Sequence, residues 1–171
     1  MRCLMELEFT VPCVPCAQPR QRHRALMIGG RVVTQNYTPK NAPVNSFKAT
    51  VAMAFARAML EQDQLGHWPV QEGPIAVTLL LFFPRPKRLI WKKRPMPRAP
   101  MYSRPDAENC AKSTLDALTK LAWNDDAQVS YLAIEKAYCA GDESPRVEVK
   151  IQTMQDWVME RRQTEIVLED I

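Results

Sequence analysis

Two carboxylates, an amide and an ammonium group stand close together in Arg104-Pro105-Asp106-Ala107-Glu108-Asn109-Cys110-Ala111-Lys112, and a second acidic pair follows in Trp123-Asn124-Asp125-Asp126-Ala127-Gln128. Carboxylate oxygens are hard ligands of the kind Mg²⁺ accepts, and that ion commonly takes one or two from protein and keeps several waters. Such an ion activates water and polarises a phosphoryl oxygen. A lysine beside it can balance the charge that builds on the phosphate. The plainer alternative is that Asp106 and Glu108 cap a helix while Lys112 pairs with Glu108 on a solvated face. For any one residue alone that alternative is the stronger; the combination favours a phosphate-directed cation site.

The elements that must position these groups are legible around them. Pro105 disfavours helix in the residue before it and suits the first turn of a helix beginning there. Cys110, Ala111, Thr114, Leu115, Leu118 and Leu121 recur at three- and four-residue steps, so an amphipathic helix is expected with Asp106 and Glu108 at its N-terminal end. Lys112, four residues after Glu108, projects from the same face one turn on. Asp116 lies about two turns, ~12 Å, beyond Glu108, too far to share an ion directly, and is expected to pair with Lys112 and orient it. Adjacent extended residues face opposite ways, so only one of Asp125 and Asp126 readily enters a site.

The pattern Arg-Pro-Asp-x-Glu-Asn-x-x-Lys, then Leu115-Asp116-Ala117-Leu118, then Trp123-x-Asp125-Asp126-Ala127-Gln128-Val129, resembles the RusA family of Holliday-junction resolvases. The likeness extends more thinly to Tyr37-Thr38-Pro39-Lys40, Lys136 and Arg146-Val147-Glu148-Val149, and covers most of the chain up to about Met154. It implies Asp106, Glu108 and Asp126 as metal ligands and Lys112 as the essential lysine. Asn109, Asp116 and Asp125 would stand behind them. Glu108 departs from the aspartate common in the family, keeping the charge on a longer arm. The resemblance further implies a Mg²⁺-dependent homodimer (with Mn²⁺ able to substitute) that cuts four-way DNA junctions in recombination and repair. The fold it implies is α+β, a single domain with a mixed β-sheet packed by two or three helices.

At 171 residues the chain suits one domain with a substantial core. A nuclease domain over 1–154 and a C-terminal helical extension over 155–171 are expected. The longest apolar run, Ile75 to Phe83, is far too short to span a membrane and ends at Pro84. No long apolar segment follows a basic one near the N-terminus, so a secretory leader is not expected. Five scattered cysteines fit a reducing compartment, which makes the cytoplasm the expected location. Cys13-x-x-Cys16 is either a lone metal or redox pair or, more in keeping with its proline-rich setting, incidental.

The net charge of +4 is unevenly spread. Arg85, Lys87, Arg88, Lys92, Lys93, Arg94, Arg98 and Arg104 follow one another without an acid, among Pro84, Pro86, Pro95, Pro97 and Pro100. Residues 84–105 are therefore expected to form a mobile arm against DNA, with Trp91 available to stack on a base, rather than an inert linker. Arg20, Arg22 and Arg24 form a second basic cluster, either phosphate contacts or solvated loop charges. Lys136 can face a phosphate or simply the solvent. His67, without a partner in sequence, is expected at the surface.

Leu7, Phe9 and Val11 alternate with polar residues as a half-buried strand, and Gly29-Gly30 marks a hairpin turn. A helix is expected from a cap at Asn45 or Ser46 to about Gln64. Ile75–Phe83 reads as a central strand, Val129–Cys139 as another, and Val147–Ile151 as a last half-exposed one. Two rivals accompany the junction nuclease. One is a non-catalytic branched-DNA binder; a single-strand binder using Trp91 has little beyond the basic arm. The other is a PD-(D/E)xK nuclease using Pro105-Asp106 with Glu148-Val149-Lys150, a triplet that arises often by chance in an alternating strand.

Overall fold

The structure, a computed structural model, describes residues 6–19, 22–37, 39, 42–63, 68, 72–91 and 96–169; at 22–24, 36–37 and 162–169 it describes the backbone alone. Arg20, Lys40, His67, Lys92, Lys93 and Arg94 lie outside the described residues, as do the side chains of Arg22, Arg24 and Tyr37.

Along the chain come β1 (Glu6–Val11), β2 (Arg22–Ile28), β3 (Arg31–Tyr37), α1 (Pro43–Glu61), β4 (Ile75–Phe83), β5 (Ala99–Pro100), α2 (Ala107–Leu118), β6 (Val129–Tyr138), β7 (Arg146–Thr153) and α3 (Met154–Glu169). Five strands form one mixed sheet in the order β1-β7-β4-β6-β5, and β2 and β3 form a separate ribbon. β4 lies at the centre, as its apolar run predicts, antiparallel to β7 and parallel to β6. Parallel neighbours need a long crossover, usually helical. Here that crossover carries the basic segment and then α2, so the fold places the acidic cluster on the loop that closes the parallel pair.

One face of the sheet packs under α1 and α2. Leu7, Val11, Val77, Leu79, Val147 and Ile151 meet Val51, Phe55, Cys110 and Leu118 in a single core. Burying a leucine as completely as Leu118 contributes roughly 1.5–3 kcal/mol. α1 begins at Pro43 after Ala42, earlier than the expected cap at Asn45 or Ser46. Proline at the first helical position supplies the helical φ and lacks only an N–H that would have no partner there. On the other face α3 packs Trp157 against Tyr131, ring centroids 4.4 Å apart, and its Glu160 accepts from Lys150 and Gln152.

The basic crossover is tied down among its described residues. Lys87–Leu89 makes a 3-10 turn, β5 pairs with β6, and Gly141 N–H donates to Met96 O at 2.9 Å. Arg85 donates to the carbonyls of Cys139 and Pro97. Arg98 pairs with Glu143 and stacks on Phe82, with Arg146 also lying over that ring at 4.3 Å.

Candidate functional site

Asp106 is the N-cap of α2, with extended backbone (φ −69°, ψ 140°), yet its side chain makes no capping bond. An aspartate there ordinarily accepts from an N–H of the first turn. Its carboxylate instead has one long contact, from Asn109 Nδ2 at 3.4 Å. Pro105, expected inside the helix, precedes it in a cis Arg104–Pro105 peptide. Glu108 follows in the first turn, exposed, and no ion pair among the described residues joins it to Lys112. Neither element of the plainer alternative, capping or pairing, is formed. Asp106 and Asn109 border an open cleft of about 720 Å³ with Ala17, Arg104 and Pro105.

Lys136 of β6 lies behind this loop. Its ammonium donates to Ser103 O at 2.7 Å and Pro105 O at 2.6 Å, using two of its three N–H groups. The Ser103 hydroxyl also meets the Tyr138 hydroxyl at 2.8 Å. Lys136, expected to face either a phosphate or the solvent, does neither with its two bonded N–H groups and is bound to the backbone that leads into Asp106. From the other side, Gln18 N–H donates to Asn109 O at 2.8 Å, and the Ser113 hydroxyl donates to Cys16 O.

Asp126 belongs to the far end of α2. Its Oδ1 accepts from the hydroxyl of Thr119, the C-cap residue, and lies 3.4 Å from Trp123 Nε1. Trp123 is fully buried and fastens this turn to the core. Asp125 caps the short 3-10 turn Asp126–Gln128, accepting from Ala127 N–H at 2.9 Å. Gln128 reciprocates through Oε1, accepting from Asp125 N–H at 3.0 Å and Asn124 N–H at 2.8 Å. The Asp125-Asp126-x-Gln128 motif therefore resolves into two residues that shape the turn and one whose carboxylate stays exposed. Asp116, expected to pair with Lys112, instead binds Lys48 of α1 at 2.8 Å, because α1 packs alongside α2 and brings that ammonium closer.

A helix of this length, at 1.5 Å per residue, separates its ends by roughly 18 Å. Asp106 and Asp126 sit at opposite ends, whereas carboxylates sharing one Mg²⁺ each lie within about 2.1 Å of it. Among the described residues, no three His, Cys, Asp or Glu side chains are grouped to hold an ion. Convergence of Asp106, Glu108 and Asp126 within one chain is not found. Their chemistry nevertheless fits Mg²⁺: Glu108 and Asp126 Oδ2 are hard oxygen donors without protein partners among the described residues, and Asp106 has only the long amide contact.

A family model described as endodeoxyribonuclease RusA matches residues 12–152, which contain both ends of α2 and the whole five-stranded sheet except β1 and the last residue of β7. The chain belongs to the RusA family. It is also 30% identical over 151 residues to a protein of Bacillus subtilis (strain 168) called uncharacterized protein YqaN, covering 85% of this chain and 95% of that one. RusA membership supports endodeoxyribonuclease activity and DNA binding, and the single mixed-sheet α+β domain is the RusA fold expected.

On this RusA scaffold the basic residues divide by what they touch. Lys87, Arg88 and Arg104 are exposed, Arg104 beside Asp106. Arg98 is held by Glu143, whose carboxyl falls from the ordinary 4.5 to about 2, chiefly through the hydrogen bond from Arg98 and with help from Ala140 N–H. Burial pushes the Cys110 thiol up to about 11 and raises Cys13 and Cys16 as well, which opposes thiolate chemistry there. No helix among the described residues is long and apolar enough to cross a membrane.

The rival PD-(D/E)xK arrangement is not assembled. Glu148 and Lys150 lie on the sheet face away from α2, where Glu148 binds Arg146 and Lys150 binds Glu6, Glu8 and Glu160. Sequence reasoning missed Thr119, Trp123 and Lys48 as partners of the acidic residues. For Thr119 and Trp123 the signal was their spacing around the turn. Lys48, remote in sequence, gave none.

Proposed function

We propose that this chain is a Mg²⁺-dependent endonuclease that resolves four-way DNA junctions in recombination and repair, acting as a homodimer. What carries the reading is the N-cap carboxylate of Asp106, which does no capping and faces an open cleft beside Arg104. A residue kept only for helix stability would be expected to cap.

The separation along α2 gives the dimer a chemical reason. If two copies set their α2 helices antiparallel about a two-fold axis, Asp106 and Glu108 of one copy approach the acidic turn of the other, and the same contact repeats at the second site. Two equivalent sites would then serve two symmetric strands of one junction. Bound Mg²⁺ would supply water activation and charge neutralisation at the scissile phosphate. Asp106, Glu108 and Asp126 would hold it, Asp126 oriented by Thr119 and Trp123. Lys112 would face the charge developing on the phosphate, and Arg104, Lys87 and Arg88 would fix the backbone nearby.

The test is incubation with a synthetic four-way junction in Mg²⁺ or in EDTA. Paired, symmetric nicks in Mg²⁺ alone are expected. Tight junction binding without nicks in Mg²⁺ or Mn²⁺ would instead make the chain a branched-DNA binder.

A further inference from the structure

The ribbon of β2 and β3 is left without a task by the chemistry above. It hydrogen-bonds as a sheet of its own, and none of its residues with described side chains belongs to the core. Gly29 and Gly30, at φ +57° and +75°, make the tight turn that positive φ at both positions allows. Next to that turn Met27 is 75% exposed, Ile28 61% and Val32 69%. The register sets Met27 opposite Val32, whereas Leu26 opposite Val33 and Ile28 opposite Arg31 lie on the other side, so the tip is apolar on both faces. A two-stranded ribbon is marginal in water by itself, and apolar surface gathered at its tip calls for a partner.

Charge and shape choose the partner. No Asp or Glu occurs between Glu8 and Glu61; of the cations in that span Arg22, Arg24 and Arg31 belong to the ribbon and Arg20 and Lys40 flank it in sequence, whereas Lys48 and Arg57 lie on α1 and pair with Asp116 and Glu61. Ribbon against ribbon in a second copy would oppose arginines with no acid to relieve them; DNA supplies the missing anions. A ribbon with side chains on both faces is about 10 Å thick. That is too thick to slide between stacked base pairs some 3.4 Å apart. An opened branch point presents two unstacked surfaces at once, and Ile and Met are among the apolar side chains that DNA-bending proteins wedge against bases.

We propose that the ribbon is a branch-point wedge: Met27 and Ile28 pack against unstacked base pairs on either side, with Arg31 meeting a flanking phosphate. This rests on the reading that the chain acts on branched DNA. The wedge would let the protein distinguish a junction from a duplex without reading sequence.

The experiment uses the full chain in EDTA, so that the DNA stays uncut, with a four-way junction carrying 2-aminopurine at the branch point. Binding is expected to raise the fluorescence several-fold, with no rise on a fully paired duplex bearing the same base. The M27S/I28S double variant, at exposed positions, is expected to abolish the rise and the preference for junction over duplex while keeping duplex affinity and the wild-type mass in light scattering. A rise that persists in the variant, or that occurs equally on duplex, overturns the wedge. So does a halved mass, which would make the ribbon a joint between copies. A wild-type chain that cuts the junction without any rise overturns the wedge alone; one that neither binds nor cuts it overturns the junction reading as well.

Discussion

Lys136 Nζ donates to Pro105 O at 2.6 Å, so a central-sheet strand grips the backbone one residue before Asp106. The same ammonium holds Ser103 O at 2.7 Å. Two carbonyls of one loop are thereby fixed to β6, and the start of α2 is fixed with them.

Lys136→Met should therefore weaken cutting more than binding. A fall of about 10–100-fold in cleavage is expected, the usual range when a group supporting a metal ligand is removed. The half-saturating Mg²⁺ concentration should rise, junction affinity in EDTA should hold, and Lys136→Arg should recover part of the loss. Weaker binding with unchanged turnover of bound complexes would return Lys136 to direct DNA contact.

Asp106→Asn should keep junction binding and lose cutting by on the order of 10²–10³-fold, as when one preorganised electrostatic group leaves a site. The basic surface is untouched by that change. Gel-shift and cleavage assays on the same preparation separate the two effects.

Mixing copies tests whether the ends of α2 meet across the proposed dimer. Asp106→Asn and Asp126→Asn homodimers should both be inactive. Refolded together, they should yield heterodimers with one intact site, detected as single rather than paired nicks. Absence of any nicking, with heterodimers demonstrated by mass, would place each site within one chain.

Glu148→Ala and Lys150→Ala should leave cleavage within a few-fold of wild type, since both side chains sit in ion pairs on the far face of the sheet. Lys150→Ala leaves Glu6, Glu8 and Glu160 without their shared cation, so a small loss of thermal stability is expected. Abolished cleavage in a folded variant would revive the PD-(D/E)xK assignment.

Glu143 has its carboxyl depressed to about 2, mainly by the hydrogen bond from Arg98. A depressed carboxylate stabilises the fold above its ordinary value of 4.5, and that contribution is lost as pH falls through about 2. Amide protection near β5, taken relative to the intrinsic exchange rate at each pH, should fall over that window, followed by NMR. In Glu143→Gln that local change in protection should be lost.

The central strand, the α2 periodicity and the acidic cluster were set by local sequence, and the fold class came through the family resemblance that the cluster carries. Each depends on side-chain alternation or on residues close along the chain, and apolar burial enforces those patterns almost wherever the element is placed. Tertiary structure decided the partners. It turned Lys136 inward to Pro105, gave Asp116 to Lys48 instead of Lys112, and drew Arg98 onto Glu143 and Phe82. It also set Asp106 and Asp126 at opposite ends of α2. Sequence can state that two carboxylates flank a helix, but a rigid helix keeps its ends apart, and only the packing around it determines what each end can meet.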